Sequence, residues 1–133
     1  MSPVSVEQMK TRTKQFSLRI VRLFQAMPKT DESRIIGRQV LRSGTSVGAN
    51  YRAACRARSD KEFLAKIGIV VEEADETAFW LDLLIEADVI TATKLGNLLQ
   101  ETNELLAIFA ATQRTVRNRL HKAKTNKPTT TSK

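Results

Sequence analysis

Several residue types are scarce in this chain, and each scarcity excludes a class of protein. The single cysteine excludes an internal disulfide framework and any thiolate zinc cluster. Five glycines and three prolines are too few for the many turns of a β-sandwich or barrel. No apolar run approaches the ~20 residues of a membrane span, and residues 1–10 lack the hydrophobic stretch of a signal peptide. We therefore expect a soluble, cytoplasmic protein of one domain.

Catalytic groups are also scarce. His121 is the only histidine, so the chain cannot supply the two Glu-x-x-His pairs of a di-iron bundle. Cys55 has no partner base in the sequence, and no glycine-rich phosphate loop occurs. The clustered carboxylates are predicted to form a solvated or salt-bridged face of one helix: Glu72, Glu73, Asp75, Glu76, Asp82 and Glu86. We predict a protein that is not an enzyme and that uses no metal or cofactor.

Helical periodicity runs through almost the whole sequence, with apolar residues at alternating steps of three and four. Four amphipathic segments with short connections predict an all-α, up-down-up-down antiparallel four-helix bundle over residues 1–121. The remaining residues, 122–133, are polar and basic without a period, and we predict a disordered tail there. The predicted helices are about 6–27, 32–57, 60–87 and 92–121.

Local signals mark the predicted helix boundaries. Ser5 with Gln8, and Ser59 with Glu62, have the spacing of capping boxes, and Pro28 ends the first helix. The second helix contains a run rich in glycine and serine at 43–48, which favours either a kink or close approach of a neighbouring helix. One long helix is expected there, with two shorter helices as the alternative.

Charge is the first functional clue, because Lys and Arg exceed Asp and Glu by 22 to 14. Residues 1–58 carry a net +9, residues 59–108 a net −8 and residues 109–133 a net +7. In the predicted bundle, the acidic third helix lies diagonal to the basic first helix. The sequence therefore predicts one positive and one negative side. Such a positive side attracts polyanions, and oppositely charged faces can also join subunits head to tail into rings.

Mixed arginine and lysine without interleaved aromatic residues favours contact with phosphate groups over base stacking. Pairing of the second and third helices predicts that Arg42 lies near Asp75 and Glu76, and Arg34 near Asp82. No such neutralisation is expected for the cations of the first helix. The candidate nucleic-acid-binding residues are Arg12, Lys14, Arg19, Arg22, Arg38, Arg52, Arg56, Arg114, Arg117 and Lys122.

Residues 37–54, GRQVLRSGTSVGANYRAA, resemble the signature of a bacterial four-helix-bundle family. That family includes proteins encoded in intervening sequences of large-subunit ribosomal RNA genes and accessory variability determinants of diversity-generating retroelements. Residues 57–63 (ARSDKEF) and 72–76 (EEADE) also match it. The family pattern carries a glutamate shortly after the position of Tyr51, where this chain has alanines.

The resemblance implies a bundle that assembles as a homopentameric ring. In the retroelement branch, it further implies binding of RNA or DNA and association with a reverse transcriptase. We therefore expect a nucleic-acid-binding accessory protein that contacts the phosphate backbone. The alternative is a structural or protein-interaction module of the same family, without a nucleic-acid role.

Overall fold

A computed structural model describes residues 5–125 and contains four α-helices over that range, with no strand. They are α1 (Val6–Ala26), α2 (Asp31–Cys55), α3 (Asp60–Glu86) and α4 (Ala92–Thr125). The all-α prediction is confirmed. The prediction for the chain's end is wrong for residues 122–125, which continue α4. The rest of the predicted tail, 126–133, lies outside the described residues.

The helix starts follow the predicted capping residues. At α1 the Ser5 hydroxyl accepts the Gln8 N–H at 3.0 Å, and the Gln8 side chain accepts the Ser5 N–H at 3.0 Å. At α3 the Ser59 hydroxyl accepts the Glu62 N–H at 3.1 Å. The Glu62 carboxylate instead lies 3.7 Å from the Arg58 guanidinium, so only half of this capping box forms.

Three glycines of α2 allow α1 to approach closely, and α2 is one continuous helix. A Cβ atom at Gly44 would lie 2.8 Å from Ile20 side-chain atoms. The contacts run in opposite directions along the two helices: Gly37 faces Met27, Gly44 faces Ile20 and Gly48 faces Ser17. Of the two predicted roles for the glycine-rich run, close packing is the one that the structure shows.

Consecutive helices pack on one another around an aliphatic core, α1 on α2, α2 on α3 and α3 on α4. Burial of this apolar surface is the main favourable term in folding. The rings of Tyr51 and Phe109 meet at 5.1 Å, and the buried Thr77 hydroxyl donates to the Ser43 hydroxyl at 2.8 Å between α3 and α2. α1 and α4 meet over a more open seam, which contains a crevice of about 880 Å³.

Candidate nucleic-acid interface

One end of the bundle collects segments from all four helices. The crevice is lined by Val6 from the start of α1, Cys55 from the end of α2, Phe63 from the start of α3 and Thr115 from the second half of α4. These four segments therefore share one end of the molecule. We call this end, comprising residues 5–16, 44–71 and 106–125, the basic end.

The basic end carries most of the positive charge. It contains 13 Lys and Arg against three Asp and Glu, a net +10, whereas residues 17–43 and 72–105 contain seven against 11, a net −4. Charge therefore separates along the bundle axis, a division that was not predicted from the sequence, and the predicted positive and negative sides stay a prediction. In α3 the first turns balance two cations, Lys61 and Lys66, against two acids, Asp60 and Glu62, whereas residues 72–86 hold six acids and no cation.

The cations of α1 do not share one surface. At about 100° per residue, Arg12 and Lys14 project about 160° apart. Arg12 faces α4, where its guanidinium donates to Glu101 at 2.6 Å and to Glu104 at 3.0 Å. The hydrogen bond to the Glu101 carboxylate raises the pKa of Arg12. The expectation that Arg12 lacks an acidic neighbour is therefore wrong.

The predicted neutralisation of Arg42 is confirmed for one of its two partners. The Arg42 guanidinium donates to Glu76 and, at 3.1 Å, to Glu73. Asp75, the other predicted partner, is exposed and makes no ion pair within residues 5–125. Glu73 occupies the place expected for Asp75 because it lies nearly one turn before Glu76, on the side of α3 that faces α2.

Arg34 pairs within its own helix. Its guanidinium lies 3.5 Å from Asp31 at the start of α2, and within the described residues it forms no ion pair with Asp82, the neighbour predicted for it. At the opposite end, Arg119 donates to Asp60 at 2.9 Å and joins α4 to the start of α3. These pairs are exposed, and exposed pairs contribute at most about 1 kcal/mol each.

A groove between α1 and α2 forms part of the basic end, and we call it the α1–α2 basic groove. Its volume is about 550 Å³, and no acidic residue lines it. Lys14, Arg52 and Arg56 are exposed along it and make no ion pair with any acid in the described range. Lys10 completes the set and lies 3.4 Å from the exposed Glu7. The remaining lining residues are Thr13, Ser17, Gly48, Ala49 and Tyr51.

The floor of the groove offers little for reading a ligand by hydrogen bonds. The hydroxyls of Thr13 and Ser17 donate to backbone carbonyls of their own helix, at 2.9 Å and 3.0 Å. Tyr51 is buried against Phe109, so its ring face is not available for stacking on a base. Burial raises the pKa of Tyr51 above its ordinary range, which keeps its phenol neutral. The groove therefore provides positive charge on its walls and little else that is directional.

The structure thus divides the ten predicted residues into several groups. Lys14, Arg52 and Arg56 meet at the groove, whereas Arg12 faces α4. The exposed Arg114, Arg117 and Lys122 lie on α4 at the basic end, and the exposed Arg19, Arg22 and Arg38 lie towards the other end. None of these six makes an ion pair with an acid among residues 5–125. Sequence reasoning missed Lys10, although its spacing of four residues from Lys14 places both on one helix face.

Other kinds of site find no support in the described range. Within it, no group of three or more His, Cys, Asp and Glu side chains could hold a metal ion. None of the helices over residues 5–125 has the length and apolar character needed to cross a bilayer. Cys55 is half-buried against the core, and His121 is exposed on α4.

Comparisons with known proteins agree with this architecture. A crystal structure of a protein of unknown function from the S23 ribosomal protein family of Bacteroides thetaiotaomicron is 32% identical, with a TM-score of 0.76. The match covers 82% of this chain and 97% of that one. No curated protein matches the sequence. The family model described as 23S rRNA-intervening sequence protein matches residues 7–111. The chain therefore belongs to the family of 23S rRNA-intervening sequence proteins.

Proposed function

We propose that this protein binds nucleic acid through the phosphate backbone and that its basic end forms the contact surface. The observation that carries the proposal is the concentration of cations without acidic partners at that end, above all Lys14, Arg52 and Arg56 along one groove. Lys and Arg that neutralise phosphates release condensed counterions, which supplies most of sequence-independent affinity. Since the floor of the groove offers few hydrogen-bonding groups for base edges, sequence-specific reading of bases is not part of the proposal.

Further elements of the proposal follow from the family resemblance and the charge pattern. We propose a non-enzymatic, cytoplasmic accessory role, in which an up-down-up-down bundle assembles as a homo-oligomeric ring, a homopentamer by resemblance. Opposite net charges at the two ends of one subunit support assembly through complementary surfaces. A reverse transcriptase is the protein partner that the resemblance suggests.

A second candidate role is a structural or interaction module without nucleic acid. Its support comes from the outer face of α3, where Phe79 is 58% and Ile69 is 37% exposed. Acids surround these apolar side chains on the same helix: Glu72, Asp75 and Asp82. An apolar patch with a charged rim is typical of protein–protein contacts.

A pair of double charge reversals tests the first role. Arg52→Glu with Arg56→Glu changes the groove, and Arg19→Glu with Arg22→Glu changes the net charge equally at the other end. We expect the groove variant to weaken binding of a labelled RNA oligonucleotide at least about tenfold and the control less than about threefold. Fluorescence anisotropy at several salt concentrations measures both effects.

The wild-type salt dependence provides a further readout. With about four phosphates contacted on a single strand, affinity should fall roughly 50-fold between 50 and 200 mM salt. Affinity that is independent of salt, or equal losses in the two variants, would contradict binding at the groove. If the wild type binds no RNA and the groove variant loses oligomer mass in light scattering, the second role is the correct one.

A further inference from the structure

We propose that the α1–α2 basic groove takes a single, unpaired sugar–phosphate strand in preference to a duplex, and accepts RNA and DNA alike. The inference rests on the proposed function and specifies the class of ligand at the same site. Two features carry it: the distribution of cations on both walls, and the chemistry of the floor.

The cations stand on both sides of the groove. Lys10 and Lys14 belong to α1, and Arg52 and Arg56 belong to α2. A strand lying in the groove can be neutralised from two sides at once. Within each pair the residues are one helical turn apart, about 6 Å of rise, so the walls serve a few adjacent phosphates.

The dimensions of the groove favour one strand over two. Packed helix axes lie about 8–10 Å apart, and the glycines of α2 bring α1 especially close. A furrow between two such neighbours is too narrow for the convex surface of a duplex, which would touch only the rims. A positively charged groove that follows the backbone is the usual arrangement for single-stranded nucleic acid.

The floor gives little means of distinguishing the sugars. A protein separates RNA from DNA mainly by hydrogen bonds to the 2′-hydroxyl. The hydroxyl protons of Thr13 and Ser17 are already donated to backbone carbonyls. Gly48 and Ala49 have no polar side-chain atoms, and Tyr51 is buried. Affinity should therefore depend on phosphates alone, and single-stranded RNA and DNA of equal length should differ by less than about threefold.

Filling the groove without changing its charge tests the inference. Ala49 lines the groove and is exposed, so Ala49→Leu and the polar Ala49→Gln should occupy the space of the strand while the helix stays intact. Ala65→Leu on the exposed face of α3 is the matched control. Labelled single-stranded RNA, single-stranded DNA and DNA duplex of equal length are titrated against each full-length protein.

We expect the single strands to bind at least about tenfold more tightly than the duplex. Both Ala49 variants should lose about fivefold or more for the single strands, with little change for Ala65→Leu. Equal binding of duplex and single strand, or no effect of either Ala49 variant, overturns the inference while the proposed function stands. Poly-glutamate that binds as tightly as the oligonucleotides also overturns it. Absence of binding to all three nucleic acids overturns both proposals.

Discussion

Gly44 and Gly96 both lie inside helices but have opposite surroundings. A Cβ atom at Gly44 would come within 2.8 Å of Ile20, whereas nothing lies within 4 Å of one at Gly96. We expect Gly44→Ala to destabilise the fold by about 1–3 kcal/mol through overpacking. Gly96→Ala should stabilise it by about 0.5–1 kcal/mol, because alanine loses less backbone entropy in a helix.

Urea unfolding followed by circular dichroism measures both changes. Each variant adds one methyl group to a helix, so the pair serves as its own control for helix propensity. If Gly44→Ala is as favourable as Gly96→Ala, the close approach of α1 to α2 is wrong.

Glu76 should contribute to the pH dependence of stability. Hydrogen bonds from the Trp80 indole and the Arg42 guanidinium lower the pKa of its carboxyl below its ordinary value of 4.5. A carboxyl whose pKa is lower in the folded state stabilises the fold above its unfolded pKa. That contribution is lost as the pH falls through the folded value. Glu76→Gln keeps an acceptor for Trp80 but cannot ionise.

Wild type should therefore be more stable than Glu76→Gln at neutral pH, and this difference should shrink as the pH falls below about 4.5. Denaturant midpoints from pH 7 to pH 3 measure it. Glu72→Gln, at an exposed position of α3 in no ion pair within the described range, is the control. A difference that stays constant with pH would show that the charge of Glu76 is not stabilising.

Single contacts were predictable where neighbouring helices are joined by short turns. The short turn between α2 and α3 fixes their relative position, and the pairing of Arg42 with Glu76 follows from it. No such turn joins α1 to α4. The contact of Arg12 with Glu101 depends on how far these two helices slide along each other, which packing of the whole core determines.

At the scale of elements, the start of α3 depends on a single hydroxyl. Ser59 accepts the Glu62 N–H, and no reciprocal side-chain bond supports it. We expect Ser59→Ala to cost about 1 kcal/mol, because an N–H of the first turn loses its acceptor. Ser59→Asp should retain most of the stability, since a carboxylate caps equally well and interacts favourably with the helix dipole.

Chemical denaturation measures the stability of both variants, and equal losses of stability would show that the serine hydroxyl does not act as a cap.

Helix starts were predictable from the sequence because capping is a local interaction between residues three apart. The end of α4 was not predictable in the same way. Its apolar period stops near Leu120, but Lys122, Ala123 and Lys124 have high helix propensity, and the first proline comes only at Pro128. The helix therefore continues past its buried face.

At the scale of the whole molecule, the fold class followed from periodicity alone, since every apolar stripe has a helical period. The arrangement of charge did not. The arrangement of charge depends on which half of each helix lies at which end of the bundle. The net charge of a whole helix does not show how its charges are divided between its two halves. α4 shows this most clearly, with both of its acids, Glu101 and Glu104, in its first half and five cations from Arg114 onward.

Separation of positive and negative charge along the bundle gives the molecule a permanent electric dipole moment with a component along its long axis. In the field of a strongly negative body, such a dipole experiences a torque that turns the positive pole forward. Rotational alignment therefore precedes contact, and fewer collisions are wasted on unproductive orientations. The benefit is greatest in dilute electrolyte and shrinks once mobile ions shorten the reach of the field to about 8 Å.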